Sequence, residues 1–355
     1  MGAEMSSVQN TFSEWIQSLF EKIPDKELFI FYDGDRREAY TARELYTLAG
    51  RFANRLRRHG FKRHDVIANT LPNCPERVIT DVGIILAGCV TMNGQVLLAD
   101  GSDFFPSAKV SRCTGVVVAP GVQSSAWGLL QQFVDVEASS EFSRFHKPDL
   151  PELTSAILVS RDSTGAKKSF LENLRTSDDD ILVTELDPED IVIVFITSGT
   201  TGYSKLVPRS SSDLKASSGF QTMAASSLQH ADQPQDYAQI YYSDRMLGWI
   251  GGFPFSTYCN GVTRVLLDSF CNDGVIDPGV IINAVRTEGC PFMAVLPLEF
   301  EQILRYLTSQ EPSWTKIGAI VTGGQPLPKC VVSNMLKVAE KVGIVYGSTE
   351  ASIVT

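Results

Sequence analysis

The sequence predicts an α/β protein in which helices cover both faces of mainly parallel β-sheets. Two observations support this fold class: short runs of β-branched and apolar residues recur along the chain, and segments long enough for a helix separate them. Strands that are apolar along their whole length are buried on both faces, as in parallel sheets. The predicted strands cover residues 65–69, 89–92, 115–119, 156–160, 191–196, 263–267, 292–296, 318–322 and 343–346.

Helix signals lie between these runs. Thr41 and Glu44 form a capping-box pattern, in which the hydroxyl and the carboxylate bind backbone N–H groups at the start of a helix. Apolar residues follow at helical spacing until Gly60, which suits a left-handed C-terminal cap. These apolar residues are Leu45, Leu48, Ala49, Phe52, Ala53 and Leu56. A second helix is predicted over residues 75–87.

The composition limits the classes of function. Of the 355 residues, 43% are apolar and 20% are charged, as in ordinary globular proteins, which excludes disordered and collagen-like chains. Acidic residues outnumber basic ones by 41 to 31, and the longest basic runs are the pairs at residues 57–58 and 62–63. Nucleic-acid binding is therefore not expected. Seven scattered cysteines without a CxxC pair, and only four histidines, favour a reducing compartment and argue against structural zinc.

No transmembrane segment, signal peptide or transit peptide is predicted. The longest apolar stretch, residues 82–90, is about half as long as a membrane-spanning helix. Glu4 and Glu14 precede the first basic residue, Lys22, which differs from the basic start of a targeting segment. These features favour a cytoplasmic location.

The polar, charge-rich segment 160–190 suggests a boundary inside the chain. A first α/β subdomain, including an N-terminal helix, is predicted over residues 1–187, and a second over residues 188–355. One large domain that contains both subdomains is equally compatible with this length.

The stretch ITSGTTGYSK, residues 196–205, takes the chain from a buried strand into hydroxyls, two glycines and a lysine. In parallel sheets, ligands bind outside the carboxyl ends of the strands, where successive N–H groups can surround an anion. Gly199 and Gly202 permit close approach of the backbone, and Lys205 supplies a charge suited to polyphosphate oxygens. The spacing is not that of a Walker A loop, because Leu206 follows the lysine. A polar surface turn is the alternative interpretation.

Three ordered motifs resemble those of the adenylate-forming (AMP-binding) superfamily, which includes acyl-CoA synthetases, luciferases and the adenylation domains of peptide synthetases. TSGTTGYSKLV, residues 197–207, resembles its phosphate loop. TGGQPL, residues 322–327, resembles the segment beside the adenine, and VYGSTE, residues 345–350, resembles its Tyr-Gly-x-Thr-Glu motif. Residues 40–73 are also typical of the family. The resemblance covers nearly the whole chain and implies the large N-terminal domain of these enzymes, with two stacked, mainly parallel sheets.

The resemblance implies a role for each matching residue. The loop that would hold the phosphates of ATP comprises Thr197, Ser198, Gly199, Thr200, Thr201, Gly202 and Lys205. The remaining nucleotide contacts would come from Gly323, Gly324, Gln325, Pro326, Tyr346, Gly347, Ser348 and Thr349. Among these, Tyr346 would pack its ring on the adenine. Thr349 would contact the α-phosphate and Glu350 would ligate Mg²⁺, so that Lys205, Thr349 and Glu350 are the implied catalytic residues.

The implied reaction joins ATP and a carboxylic acid into acyl-AMP and then, with coenzyme A, into acyl-CoA. Trp249, Gly251 and Gly252 lie in the segment that resembles the acid pocket, where many acyl-activating relatives carry a gating histidine at the position of Trp249; simple packing is the alternative. Peptide-synthetase domains place an aspartate in this region, whereas here only Asp244 is acidic, at the upstream edge. A fatty or aryl acid is therefore expected. An amino-acid adenylation domain and a luciferase-like relative stay open.

The sequence departs from the family pattern at Ser204 and Leu206, where Pro and Gly are usual. It ends at Thr355, before the family's Tyr-x-Thr-Gly-Asp stretch, hinge and small C-terminal lid domain with its catalytic lysine. We therefore expect a fragment of an acid–thiol ligase with impaired activity. A non-catalytic protein that binds nucleotide or acyl chains is the alternative. For Tyr346 and Glu350, the alternative positions are the core and a helix start.

Overall fold

The structure, a computed structural model, describes residues 11–94, 96–121, 124–135, 140–163, 168–177, 179–197, 204–217, 239–271, 277–310 and 314–353. The strands are β1 (Glu27–Asp33), β2 (Arg36–Thr41), β3 (Val66–Asn69), β4 (Val90–Asn93), β5 (Gly115–Val118), β6 (Phe142–Arg144), β7 (Ser155–Leu158), β8 (Ile191–Thr197), β9 (Lys205–Ser210), β10 (Ile240–Tyr242), β11 (Thr263–Leu267), β12 (Phe292–Ala294), β13 (Ile317–Gly323), β14 (Ala339–Val345), β15 (Gly347–Ser348) and β16 (Ser352–Ile353). The helices are α1 (Phe12–Lys22), α2 (Ala42–His59), α3 (Pro75–Leu86), α4 (Phe105–Val110), α5 (Ser125–Leu130), α6 (Phe170–Arg175), α7 (residues 211–217), α8 (Phe255–Asn260), α9 (Pro278–Thr287), α10 (Pro297–Gln310) and α11 (Lys329–Val338).

These strands form two seven-stranded sheets. The first sheet has the order β6-β7-β5-β3-β4-β8-β9, and its neighbours are parallel except at the outer strands β6 and β9. The second sheet has the order β14-β13-β12-β10-β11-β1-β2, and only the pairing of β1 with the edge strand β2 is antiparallel. The predicted α/β class with two mainly parallel sheets is confirmed.

Helices and sheets alternate in layers. One apolar cluster contains buried residues of α1, α2 and α3 together with residues of both sheets, such as Phe29 of β1 and Phe195 of β8. A second cluster joins the other face of the second sheet to α9, α10 and α11, and a third joins the other face of the first sheet to α4 and α5. The helices α1–α3 therefore lie between the two sheets, which explains why their strands are apolar on both faces.

The local signals for α2 are present as the sequence predicts. The Oγ1 of Thr41 accepts a hydrogen bond from the backbone N–H of Glu44 at 3.2 Å, and the carboxylate of Glu44 accepts one from the N–H of Thr41 at 3.0 Å. Gly60 caps the other end with φ of 108°. The predicted helix 75–87 corresponds to α3. In the described part of the chain, no helix combines the length and apolar character needed to cross a bilayer.

The nine predicted strand regions all contain strands, with ends shifted by a few residues at most. The hairpin of β1 and β2 was not predicted. It turns at Gly34, whose φ of 57° suits a residue without a Cβ. Strands β8 and β9 complete the first sheet, whereas β1 and β2 belong to the second. The division into subdomains stays a prediction.

Candidate functional site

Two of the predicted nucleotide segments lie side by side at the carboxyl ends of adjacent parallel strands. Gly323 at the end of β13 pairs with Val345 at the end of β14, so residues 324–326 and Tyr346 continue from neighbouring strand ends. A Cβ at Gly323 would lie 2.1 Å from the carbonyl oxygen of Val345, which no side chain allows, and Gly324 has φ of 86°. The glycines of the TGGQPL motif thus permit the tight pairing that brings the two segments together.

Tyr346 is 70% exposed. This exposure contradicts the alternative position in the core and leaves its ring free to contact a ligand face. Gly324, Gln325 and Pro326, which follow the adjacent strand, are exposed as well. The structure therefore presents an aromatic ring beside an open backbone segment, an arrangement that can accept the flat face and edge of a purine.

Thr349 and Glu350 lie in the turn of a small hairpin. Gly347 and Ser348 of β15 pair with β16, and the N–H of Ala351 donates to the Oγ of Ser348 at 3.1 Å. Glu350 is exposed, and it lies in this turn rather than at the start of a helix, which was the alternative position. The carboxylate can therefore reach a ligand in the solvent outside strand β14.

The predicted phosphate-loop residues Ser198, Gly199, Thr200, Thr201 and Gly202 lie outside the described residues. The strands that flank the loop are described: β8 and β9 are antiparallel, with Thr197 opposite Lys205, and Lys205 is exposed. The same strand reaches the β15–β16 hairpin, because Nη2 of Arg209 donates to the carbonyl oxygens of Thr349 at 2.7 Å and Glu350 at 2.6 Å. The structure thus joins the strand after the predicted phosphate loop to the Thr349–Glu350 turn.

The predicted acid-pocket segment is a compact turn after β10. The N–H of Gly252 donates to the carbonyl oxygen of Trp249 at 2.9 Å, and a Cβ on Gly252 would lie 2.0 Å from the carbonyl oxygen of Met246. Trp249 is 41% exposed and Gly251 is exposed, so neither belongs to the core. The buried guanidinium of Arg264 holds the segment by donating to three carbonyl oxygens, those of Ser243, Arg245 and Gly252.

Asn73 fixes this segment to the first sheet. Its Nδ2 donates to the carbonyl oxygens of Asp244 at 3.0 Å and Arg245 at 3.2 Å, and its Oδ1 accepts from the N–H of Leu247 at 2.9 Å. Burial, and then the negative charge of Glu299, raise the pKa of Asp244 to about 7. Its Oδ1 accepts from the backbone N–H of Leu267 at 3.3 Å. The carboxyl group of Asp244 is therefore only partly ionised near neutral pH.

A second link between the sheets was not foreseen in the sequence. Arg161, which follows β7, donates to both carboxylate oxygens of Glu76 in α3 at 2.7 and 2.6 Å and forms an ion pair with Asp268 at 2.7 Å. Its guanidinium lies 4.2 Å from the ring centre of Phe270. Beside it is a cleft of about 260 Å³, also lined by Cys271. No local pattern indicates this cluster, because Glu76 and Asp268 are 85 and 107 residues away from Arg161 in the sequence.

The donor set fits a magnesium ion that is held mainly by phosphate. Within the described residues there is no group of three or more His, Cys, Asp or Glu side chains that could hold a metal. Magnesium commonly takes one or two protein carboxylates, with phosphate oxygens and water as its other ligands. The exposed carboxylate of Glu350 can supply such a ligand.

Comparison with known proteins agrees with this geometry. The family model described as "AMP-binding enzyme" matches residues 17–355. Acetyl-coenzyme A synthetase of Shewanella sp. (strain MR-4) is 25% identical over 261 residues, which are 68% of this chain and 37% of that protein. The chain thus spans little more than a third of the length of this curated relative.

Solved structures share the fold. The luciferase-like enzyme from the nonluminescent mealworm Zophobas morio has a TM-score of 0.72 at 16% identity, covering 98% of this chain and 74% of that one. A long-chain-fatty-acid-CoA ligase from Archaeoglobus fulgidus has a TM-score of 0.70 at 17% identity, covering 97% and 65%. With the family match over residues 17–355 and the motifs at adjacent strand ends, the chain belongs to the AMP-binding enzyme family of adenylate-forming proteins.

Proposed function

We propose that this chain binds ATP and a carboxylic acid as part of an acid–thiol ligase. The acid carboxylate attacks the α-phosphorus of ATP, giving acyl-AMP and releasing pyrophosphate; the thiol of coenzyme A then displaces AMP and gives acyl-CoA. ATP, coenzyme A and small acids are typical substrates of the family, and Mg²⁺ is its typical metal.

The observation that carries the proposal is the juxtaposition at β13 and β14. An exposed tyrosine ring and an exposed, glycine-rich backbone segment leave adjacent strand ends together, where ligands bind in parallel sheets. We assign adenine contact to Tyr346, Gly324 and Gln325, with Gly323 and Pro326 shaping the same segment. Gly347 and Ser348 carry the chain from the ring to the turn.

The phosphates are assigned to the β8–β9 loop. Thr197 and Lys205 lie opposite each other at its base, so an anion bound by Ser198, Gly199, Thr200, Thr201 and Gly202 would lie near the ammonium of Lys205. Thr349 contacts the α-phosphate in this assignment and Glu350 ligates the metal. Bound Mg²⁺ would neutralise charge that develops on the phosphate oxygens as pyrophosphate leaves.

The acid is assigned to the turn of Trp249, Gly251 and Gly252. This turn is exposed at Gly251 and carries an indole ring, and the pKa of nearby Asp244 is raised. A neutral carboxyl would pair weakly with the ammonium of an amino acid, whereas the indole can contact an apolar chain. The proposed acid is therefore fatty or aryl.

Equilibrium binding of ATP tests the proposal on these 355 residues. We expect Lys205→Ala, Tyr346→Ala and Glu350→Gln each to weaken binding of ATP in excess Mg²⁺ about tenfold or more, a loss of roughly 1.4 kcal/mol. Lys109→Ala and Glu301→Gln, which change exposed residues elsewhere, serve as matched controls and should bind ATP as the parent does.

Pyrophosphate exchange then separates the substrates, using this chain and any longer form of the protein. Exchange that depends on a fatty or aryl acid supports the ligase. Exchange with amino acids alone would reject the assigned acid, and unchanged ATP binding in all three site variants would reject the assigned nucleotide site.

A further inference from the structure

We infer that Arg209 is a positioning residue, which fixes the Thr349–Glu350 turn against strand β9 and so sets the position of the metal-binding carboxylate. The role of Glu350 as a metal ligand rests on the proposed function. The anchoring of the turn by Arg209 rests on the fold alone. Arg209 lies outside the three motifs described above, at residues 197–207, 322–327 and 345–350.

The contacts are made to the backbone rather than to side chains. One nitrogen of Arg209, Nη2, donates to the carbonyl oxygens of two successive residues, Thr349 at 2.7 Å and Glu350 at 2.6 Å. A charged donor that binds two consecutive carbonyl oxygens fixes the orientation of the two peptide units that carry them. Because Arg209 binds the backbone of both residues, it sets the direction in which their side chains leave the turn.

The position of Arg209 in its strand explains why it reaches the hairpin. Side chains alternate along a strand, so Lys205, Val207 and Arg209 share one face of β9. Val207 is buried in the cluster that lies between the two sheets, whereas Leu206, on the opposite face, packs against the cluster outside the first sheet. The face of β9 that carries Arg209 is therefore directed towards the second sheet and the ends of its strands.

The hairpin needs an external anchor. Each of its strands, β15 and β16, has two residues, and residues 346–348, 350 and 351 are exposed. Isolated two-stranded hairpins are marginally stable in water. Arg209 joins this turn to a strand that pairs with β8 along its whole length. The same strand begins at Lys205, about 14 Å away at roughly 3.4 Å per residue, so one rigid element positions both ends of the proposed phosphate site.

The experiment compares Arg209→Met, which keeps length but removes the donors, with Arg209→Lys, which keeps one charged donor group. Arg144→Met is the matched control, because Arg144 is an exposed arginine on β6, the other edge strand of the same sheet. Hydrogen exchange of amides 347–353 is measured without ligand, and the binding of ATP is titrated with excess Mg²⁺ and again with EDTA.

We expect Arg209→Met to accelerate exchange in residues 347–353 and to weaken ATP binding in Mg²⁺ about tenfold, the lower end of the range for residues that support metal ligands. Binding in EDTA should change less than twofold, and Arg209→Lys should recover part of the loss. Arg144→Met should match the parent in every measurement.

Three results would overturn the inference: unchanged exchange in Arg209→Met, an equal loss of ATP binding with and without Mg²⁺, or exchange that accelerates throughout the chain. The second result would mean that Arg209 binds the nucleotide directly, and the third that it acts only in folding. If the parent chain binds no ATP, the proposed function fails, while the exchange data still decide whether Arg209 holds the turn.

Discussion

Replacing Arg161 by methionine tests how strongly the cross-sheet ion cluster stabilises the fold. Arg161 binds Glu76 and Asp268, whose carboxylates are 2% and 6% exposed. Methionine retains much of the apolar stem but removes the charge. The variant would keep two carboxylates in the interior without their cation, and burial already raises the pKa of Asp268 when Arg161 is present.

The expected loss of stability follows from the two buried carboxylates that remain without a cation. Removing one partner of a buried ion pair typically costs about 3–5 kcal/mol, because the remaining charge has no compensation. The lost contact of the guanidinium with Phe270, at 4.2 Å, adds to this cost. Since domains of this size typically have about 5–15 kcal/mol of stability, the variant should fold but unfold at a clearly lower denaturant concentration, with a melting temperature lower by roughly 5–10 °C.

Urea unfolding at pH 8 and at pH 5 measures the effect. In the variant the buried carboxylates can be neutralised by protonation, so the loss should be smaller at pH 5. Arg112→Met is the control, because its ion pair with Glu152 is exposed and exposed ion pairs contribute little to stability. A loss in Arg161→Met that equals the loss in Arg112→Met, or that does not depend on pH, would show that Arg161 does not compensate buried charge.

Two further substitutions probe the proposed acid-pocket segment. The folded state keeps the proton of Asp244 up to about pH 7, whereas the unfolded chain ionises it near pH 4; stability therefore falls between these values as pH rises. Asp244→Asn should be more stable than the parent in thermal unfolding at pH 8 and similar at pH 4, and an equal difference at both would contradict this. Gly252→Ala places a Cβ 2.0 Å from the carbonyl oxygen of Met246 and should cost about 3 kcal/mol or more. Gly128→Ala, with open space around its Cβ, should lose nothing in the same urea titration.

The sequence predicts those parts of the fold that are determined by residues close to one another in the chain. The capping box at Thr41, the helical spacing after it and the apolar strands are each decided by neighbouring residues. The edge strand β2 reads RREAYT, and its exposed charged residues hide the strand pattern. The order of strands could not be predicted, because pairings such as β1 with β11 join residues more than 200 positions apart.

The candidate site shows the same division. Motifs placed after β13 and β14 are brought together by a register in which Gly323 meets Val345, and parallel topology predicts that neighbouring strand ends share a ligand. The roles given to Lys205, Thr349 and Glu350 remain proposals. Asn73 and Arg161 could not be found from the sequence, because each acts through partners that are distant in the chain.

The long-range contacts of Arg161 and Arg209 differ in what their loss should do. Arg161 compensates the charge of two carboxylates that are buried in a low-dielectric interior. Removing it leaves this charge uncompensated and lowers the free energy of unfolding. Arg209 binds two carbonyl oxygens at a partly exposed turn, where water can replace it. Its loss should release the turn without unfolding the chain. Loss of Arg161, which links the two large sheets, should therefore lower global stability, whereas loss of Arg209, which links β9 to the β15–β16 hairpin, should change only the local exchange of residues 347–353, because their partners differ in burial.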